Sequence, residues 1–353
     1  MSDPHSSSYR AHSLRLWLFA VAAMICLTLV VGGATRLTVS GLSIVEWKPV
    51  TGVLPPMSEP AWQAEFEKYQ QIPQYRELNR GMKLDQFNVI YYWEWTHRLL
   101  ARATGAVFLL PFVFFLWCGF IPPPMRLRLW TIFAGGTLLG AVGWWMVSSG
   151  VSGTLVKVSQ YRLAFHMTFA CAIYAAVVWT AQQLKQRAPS KAPSPLRLGA
   201  LVLAALLLAQ IYLGALVAGL DAGLKYNTWP LIDGGLMPTF ERLFFIHPIW
   251  RNVFENDLMV QFNHRMLADA VWGLALLQVY FAWRLRCELR GMLIVAAMVT
   301  LQAVLGIVTL LYEAPLALAL AHQVLAIVVF TLAVVQAERL MRGAELRLAP
   351  VPV

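Results

Sequence analysis

Eight apolar stretches punctuate the chain, near residues 14–34, 89–118, 129–149, 160–183, 197–219, 259–283, 291–312 and 315–338. A helix rising 1.5 Å per residue needs about 20 mostly apolar residues to cross a hydrocarbon core of ~30 Å, so each stretch predicts one spanning helix. The last two are joined tightly around Glu313 and Pro315. The longest polar segment, 35–88, contains WQAEFEKYQQIPQYRELN, which reads locally as an amphipathic surface helix. An even number of spans puts both termini on one side.

Composition supports the pattern. Hydrophobic residues make up 59% of the 353-residue chain and charged residues 13%, too little polar surface to coat a soluble globule of this size. The predicted fold is an all-α polytopic membrane protein. Arg10, Arg15, Arg126, Arg128, Lys185, Arg187, Lys191, Arg197, Arg284, Arg286, Arg290, Arg339, Arg342 and Arg347 flank one side, against Asp3, Glu288, Glu338 and Glu345. Those flanks hold the whole formal excess of +10. The positive-inside rule makes this side cytoplasmic, so the basic pI reflects topology and calls for no nucleic-acid partner. The N-terminal stretch runs on into Gly32, Gly33 and Arg36 with no obvious small-residue cleavage site, and reads as an uncleaved anchor. Cys26, Cys118 and Cys171 lie in spans and Cys287 in a cytoplasmic connection, so no disulfide is expected in the outer loops.

A weak internal repeat divides the chain. GGATRLTVSGLSIVEW from Gly32 and GALVAGLDAGLKYNTW from Gly214 share GL-x4-W at an offset of 182. Further on, WTHRLLARATG pairs with QFNHRMLADAV and LAFHMTFACAIY with LALAHQVLAIVV, which aligns His97 with His264 and His166 with His322. The expected architecture is therefore two parallel-repeated four-helix bundles: residues 1–190, with the long outer loop 35–88, and residues 191–353. Parallel repeats weaken any analogy with inverted-repeat transporters.

His5, His12 and His247 fall in tails or a loop, whereas His97, His166, His264 and His322 lie at one depth, about 10 Å below the outer surface. Opposed imidazoles on neighbouring helices suit the two axial positions of a haem; a zinc site would want more ligands per cluster. The plainer alternative is that each ring hydrogen-bonds a carbonyl of the next helix. Arg98 and Arg265 follow the first histidine of each half and suit haem propionates, as do Arg36 and Arg162, with snorkelling as the alternative. Tyr91, Tyr92, Trp93 and Trp95 match either a macrocycle wall or an interfacial belt. Glu94 breaks the symmetry. It lies three residues before His97, and its counterpart is Gln261. A carboxylate there suits proton transfer or stabilisation of a cationic intermediate, or else a salt bridge to Arg98 or a neighbouring arginine.

GGATRLTVSGLSIVEWKPVTGVLPP, NVIYYWEWTHRLLAR, FHMTFA, NTWPLIDGGLMP, NHRMLA and AHQ, in this order, resemble the haem A synthase family, the CtaA/Cox15 proteins, over nearly the whole chain. The resemblance implies an oxidoreductase of the bacterial inner membrane that converts the C8 methyl group of haem O to a formyl group, giving haem A for cytochrome c oxidase. It further implies that His264 and His322 are axial ligands of a resident haem b, that His97 and His166 hold the substrate haem toward the outer leaflet, and that Glu94 is the carboxylate needed for oxidation. A haem O synthase as donor and an oxidase assembly factor as recipient are implied in the same way, and homo-oligomerisation stays open. Some members carry a cysteine pair in the first outer loop; residues 35–88 here have none, and the long form of that loop resembles the branch found in certain bacteria and mitochondria. The competing reading is a di-haem b electron-transfer subunit. A proton-relay transporter fits less well, because other buried charges are few.

Overall fold

The computed structural model describes residues 4–185 and 187–342. Asp3, Glu345 and Arg347 of the charge count lie outside the described residues. Among the described residues eight helices are long and apolar enough to span a membrane, and each covers one predicted stretch: α1 (Pro4–Leu37), then, after α2 (Glu59–Gln70) and α3 (Pro73–Glu77), α4 (Leu84–Trp117), α5 (Pro123–Val151), α6 (Gln160–Gln183) and α7 (Ser194–Leu220). Short helices α8 (Ala222–Lys225), α9 (Phe240–Leu243) and α10 (Asn252–Glu255) precede α11 (Asp257–Arg284), α12 (Leu289–Leu311) and α13 (Leu316–Met341). The chain is an all-α integral membrane protein. Among the described residues the only β pairing is the bridge between Ile232 and Gly235. His5 and His12 belong to α1 and not to a tail, since that helix begins at Pro4.

Two compact units divide the chain, one of Ala20–Ile173 and one of the described residues up to Phe19 and from Tyr174 onward. In the second, α7 packs on α11, α11 on α12, α12 on α13 and α13 on α7, closing a ring of four helices. Only helices satisfy every backbone group within their own segment in lipid, and their ends are fixed locally. Asn256 caps α11, its side chain accepting from the amides of Leu258 and Met259. Asp221 ends α7 in the left-handed conformation, φ 52°. Pro315 opens α13 directly after the turn at Glu313 and Ala314, which is why the last two spans sit so close in sequence. The last turn of α13 is tied to α6 by Arg342, which donates to the main-chain oxygens of Gln182 and Lys185 while pairing with buried Glu338.

In the first unit the outer segment is folded onto α4. The expected single amphipathic helix is two: α2 is capped by Ser58, with Pro60 in its first turn, and Pro73 starts α3 because its ring cannot continue a helix from the residues before it. Buried Phe66, Tyr69 and Ile72 face Phe87 and Tyr91. Trp62 meets Tyr91 at 4.9 Å and Tyr92 at 5.3 Å between ring centres. Helix α4 starts at Leu84, five residues before the predicted stretch, and this extra turn supplies Phe87 to the cluster. Around it Glu46, Lys48, Glu65 and Lys68 form a four-charge network with contacts of 2.7–3.0 Å. The two lysines hold the Glu46 carboxyl below its usual range, and Glu46 raises the Lys48 ammonium above its own.

Candidate active site

Each of the four histidines backs onto a glycine of the preceding spanning helix. Where a Cβ would stand on Gly32 of α1, His97 Cε1 of α4 is 2.6 Å away. The same relation joins Gly143 of α5 to His166 of α6 at 3.0 Å, Gly214 of α7 to His264 of α11 at 3.1 Å, and Gly306 of α12 to His322 of α13 at 2.8 Å. Carbon atoms rest at about 3.5–4.0 Å, so any side chain at these glycines would press on the ring. The missing Cβ lets the imidazole lie against the neighbouring backbone with its free edge turned elsewhere. All four histidines are half-buried. His166 and His97 lie within electrostatic range of each other, as do His264 and His322.

Depth along the helices is matched in three cases. His166 stands six residues after Gln160, His264 seven after Asp257 and His322 six after Leu316. His97 stands thirteen after Leu84, because α4 projects outward to carry α2.

What holds each ring differs between the pairs. His97 Nδ1 lies 3.1 Å from the main-chain oxygen of Thr28. A carbonyl only accepts, so Nδ1 carries the proton and the Nε2 lone pair is left for a ligand. The corresponding partners of His264 and His322 are the amides of Gln210 and Gln302, with Nε2 at 3.1 Å from Nδ1 in both cases. Nδ1 of His166 has no hydrogen-bond partner among the described residues, and Leu139 stands at the matching place on α5. Thr28, Leu139, Gln210 and Gln302 each precede their glycine by four residues, one helical turn on the same face. Sequence inspection for ionisable groups passes over all eight residues, glycines and partners alike; the repeated Q-x3-G of α7 and α12 is the signal that finds half of them.

Glu94 is buried and saturated. One carboxylate oxygen accepts from the Ser43 hydroxyl at 2.8 Å and the Ile44 amide at 2.9 Å, the other from Arg98 Nη2 at 2.6 Å and Nε at 3.1 Å. The salt bridge to Arg98 that the spacing allowed is formed. Arg98 also donates to the carbonyls of Ile44 and Glu46, so the outer segment after α1 is pinned to α4 one residue beyond His97. Arg265 does the equivalent beyond His264, donating to the carbonyls of Tyr226, Thr228 and Leu231, and its buried Nε has no hydrogen-bond partner among the described residues. Gln261, the counterpart of Glu94, is buried with Oε1 likewise unpartnered. Arg162 donates to the Trp145 carbonyl and the Ser148 hydroxyl. Tyr91 and Tyr92 serve the docking of α2 through Trp62.

Among the described residues no group of three or more His, Cys, Asp or Glu gathers as a metal site. Paired imidazoles with glycine-backed rings suit a group that fills its own equatorial positions, as a haem does. The family model described as cytochrome oxidase assembly protein, COX15-CtaA, matches residues 15–334. The chain belongs to the COX15-CtaA family. Its relatives include a protein named Heme A synthase from Rhodopseudomonas palustris (strain TIE-1), 57% identical over 95% of this chain and 90% of that one. Proteins of the same name from Bradyrhizobium diazoefficiens, 56% identical over 99% and 97% of the two chains, and from R. palustris (strain HaA2), 55% identical over 98% and 95%, are similar throughout. The COX15-CtaA match covers all four histidines and Glu94.

Proposed function

We propose that the chain is a haem A synthase, a membrane oxidoreductase that converts the C8 methyl group of haem O to a formyl group by two successive hydroxylations and loss of water from the geminal diol. The relatives' shared name supports this reading. The observation that carries it is an inequality between the two histidine pairs: a buried carboxylate stands one helical turn before His97, and an amide, Gln261, stands in its place before His264. In this reading residues 1–190 hold the substrate and residues 191–353 a resident haem b, with both termini cytoplasmic and both sites toward the outer leaflet of a bacterial inner membrane. A haem O synthase supplies the substrate and an oxidase assembly factor receives the product.

His264 and His322 present the ligand nitrogens for haem b, which when bound accepts electrons from the oxidation. His97, its tautomer set by Thr28, and His166 orient haem O. Glu94 places negative charge beside the substrate pair, where it favours positive charge developing at the oxidised carbon, while Ser43, Ile44 and Arg98 fix its position. The Nε of Arg265 is the free donor for a propionate in the second half; Arg98 would share its guanidinium between a propionate and the loop carbonyls.

Haem extraction and chromatography of the purified protein, produced together with a haem O synthase, test the proposal. Haem B with haem A in the wild type, and haem O or a hydroxylated intermediate retained by Glu94→Ala, are expected. Haem B alone at about two per chain in both proteins would overturn the synthase and leave a di-haem electron carrier.

A further inference from the structure

Basic residues beside membrane spans serve topology by their number and not by their arrangement. In the second unit they are nevertheless drawn together. Arg342, the residue after α13, donates to the main-chain oxygens of Gln182 and Lys185, and its own carbonyl accepts from the Ser190 amide at 2.7 Å. The connection after α6 is thereby stapled across the end of α13. It brings Lys185 and Arg187 into electrostatic range of Arg339 and Arg342, with Arg15 of α1 in the same range.

Two acids answer these five cations. Glu338 meets Arg342 at 2.6 Å and Glu288 meets Arg339 at 3.0 Å. Among the described residues Arg15, Lys185 and Arg187 have no carboxylate within ion-pair distance, so five cations against two acids leave an excess of three positive charges. Repulsion from Arg187, joined by that of Arg15, Arg339 and Arg342, draws the Lys185 ammonium below its ordinary range. Burial first, and then Arg339 and Arg342, does the same to Arg187. Arg15 lies over the Phe19 ring, 5.0 Å from its centre, and its buried Nε has no hydrogen-bond partner among the described residues. The next residue, Leu16, is exposed. Holding like charges together opposes folding unless an anion joins them, and an aliphatic side chain open beside them suits a ligand with an apolar tail.

We propose that Arg15, Lys185, Arg187 and Arg339 form a binding site for a phosphate group at the membrane surface, assembled by the Arg342–Glu338 staple. On the topology proposed above this is the cytoplasmic surface, and the site asks nothing of the haem assignment. The planar forks of the arginines match phosphate oxygens, and Lys185 adds a point charge. Basic pockets between spanning helices on this side hold the headgroups of anionic lipids, the source that Leu16 favours; a soluble phosphoanion would bring the same chemistry without the tail.

Mass spectrometry of the lipid kept by the full chain in detergent, and thermal unfolding after delipidation, test the site. Wild type is compared with Lys185→Gln/Arg187→Gln and with Arg126→Gln/Arg128→Gln as control. Wild type and control are expected to retain anionic phospholipid, and to melt at a higher temperature when phosphatidylglycerol is restored but not with phosphatidylcholine. A cation near an anionic surface is worth about five-fold in binding, so the Lys185/Arg187 variant should retain roughly 25-fold less. Arg15→Gln, on a different element, carries the same expectation at about five-fold if the double variant fails to assemble. Protection by inorganic phosphate or pyrophosphate alone, lost in the Lys185/Arg187 variant, would support the site and make its ligand soluble. Lipid retention and melting equal to wild type in both the Lys185/Arg187 and Arg15 variants would overturn it, as would equal protection of wild type by phosphatidylcholine.

Discussion

Replacing Gly306 by alanine puts a methyl group into the wall behind His322. The added carbon would stand 2.8 Å from Cε1, 3.4 Å from Nδ1 and 3.6 Å from Nε2. With carbon contacts resting at about 3.5–4.0 Å, the ring must retreat by roughly 0.7–1.2 Å, several times the ~0.2 Å that a metal–ligand distance tolerates. The fold itself suffers little: overpacking costs about 1–3 kcal/mol, and alanine returns about 1 kcal/mol of helix propensity over glycine. The ligand suffers more, because even 1–2 kcal/mol lost from the axial bond is a factor of about 5–30 in retention. We expect Gly306→Ala to be produced and inserted normally yet to lose most of the haem assigned to the second half, read as haem per chain after purification. Gly214→Ala, where the contact is 3.1 Å, should lose less, and Gly273→Ala on α11, with nothing within 4 Å of its added carbon, should lose none. Equal haem content in Gly306→Ala and Gly273→Ala would refute the glycine-backed geometry.

Arg98→Ala removes the donor to Glu94 and to two loop carbonyls; breaking a buried pair costs about 3–5 kcal/mol, so residues 38–58 should become open to protease in membranes that leave wild type intact. Glu94→Gln should keep the protein assembled but stop haem A formation, with chromatography of extracted haem as the check; wild-type yields of haem A would remove the carboxylate from the oxidation. Trp62→Ala deletes two aromatic contacts worth about 1–3 kcal/mol together and should release α2, seen as faster amide exchange in 59–70. The network around Glu46 sets pH limits on the same segment. Glu46 is held below its ordinary 4.5, so its contribution is present above that value and is lost as pH falls through the lower folded one; Lys48 is held above 10.5, so its contribution is present below that value and is lost as pH rises through the higher folded one. Fluorescence of the segment's tryptophans should accordingly hold steady across the neutral range and change first at the two extremes.

The spans were legible because the bilayer imposes one length and one polarity on every crossing, and 89–118 or 315–338 meet both without help from distant residues. Intramembrane histidines were legible for the same reason, being costly where they stand, although the shared position expected of all four holds along the helices for three. Gly32, Gly143, Gly214 and Gly306 were not, since an absent side chain announces nothing until the neighbour that fills its space is known. Arg98 and Arg265 show the other limit: Arg98 meets Glu94 as its spacing allowed, but the remaining partners of Arg98 and those of Arg265 are main-chain oxygens of segments tens of residues away, and no local pattern records which carbonyls a loop leaves exposed. Pro73 lay in plain view inside the amphipathic stretch, and its effect on α2 was local.

Arg98 and Arg265 each sit one residue beyond a histidine, on the same rigid turn, and each grips carbonyls of a neighbouring outer segment. A rotation of α4 or α11 that re-aimed the imidazole would drag the guanidinium with it and strain the loop bonds it makes. Linkage makes that reciprocal: occupancy at the ring and closure of the loop strengthen or weaken one another by the same factor. On the proposed haem assignment, each arginine would therefore tie the order of the segment it grips to occupancy of the neighbouring ring.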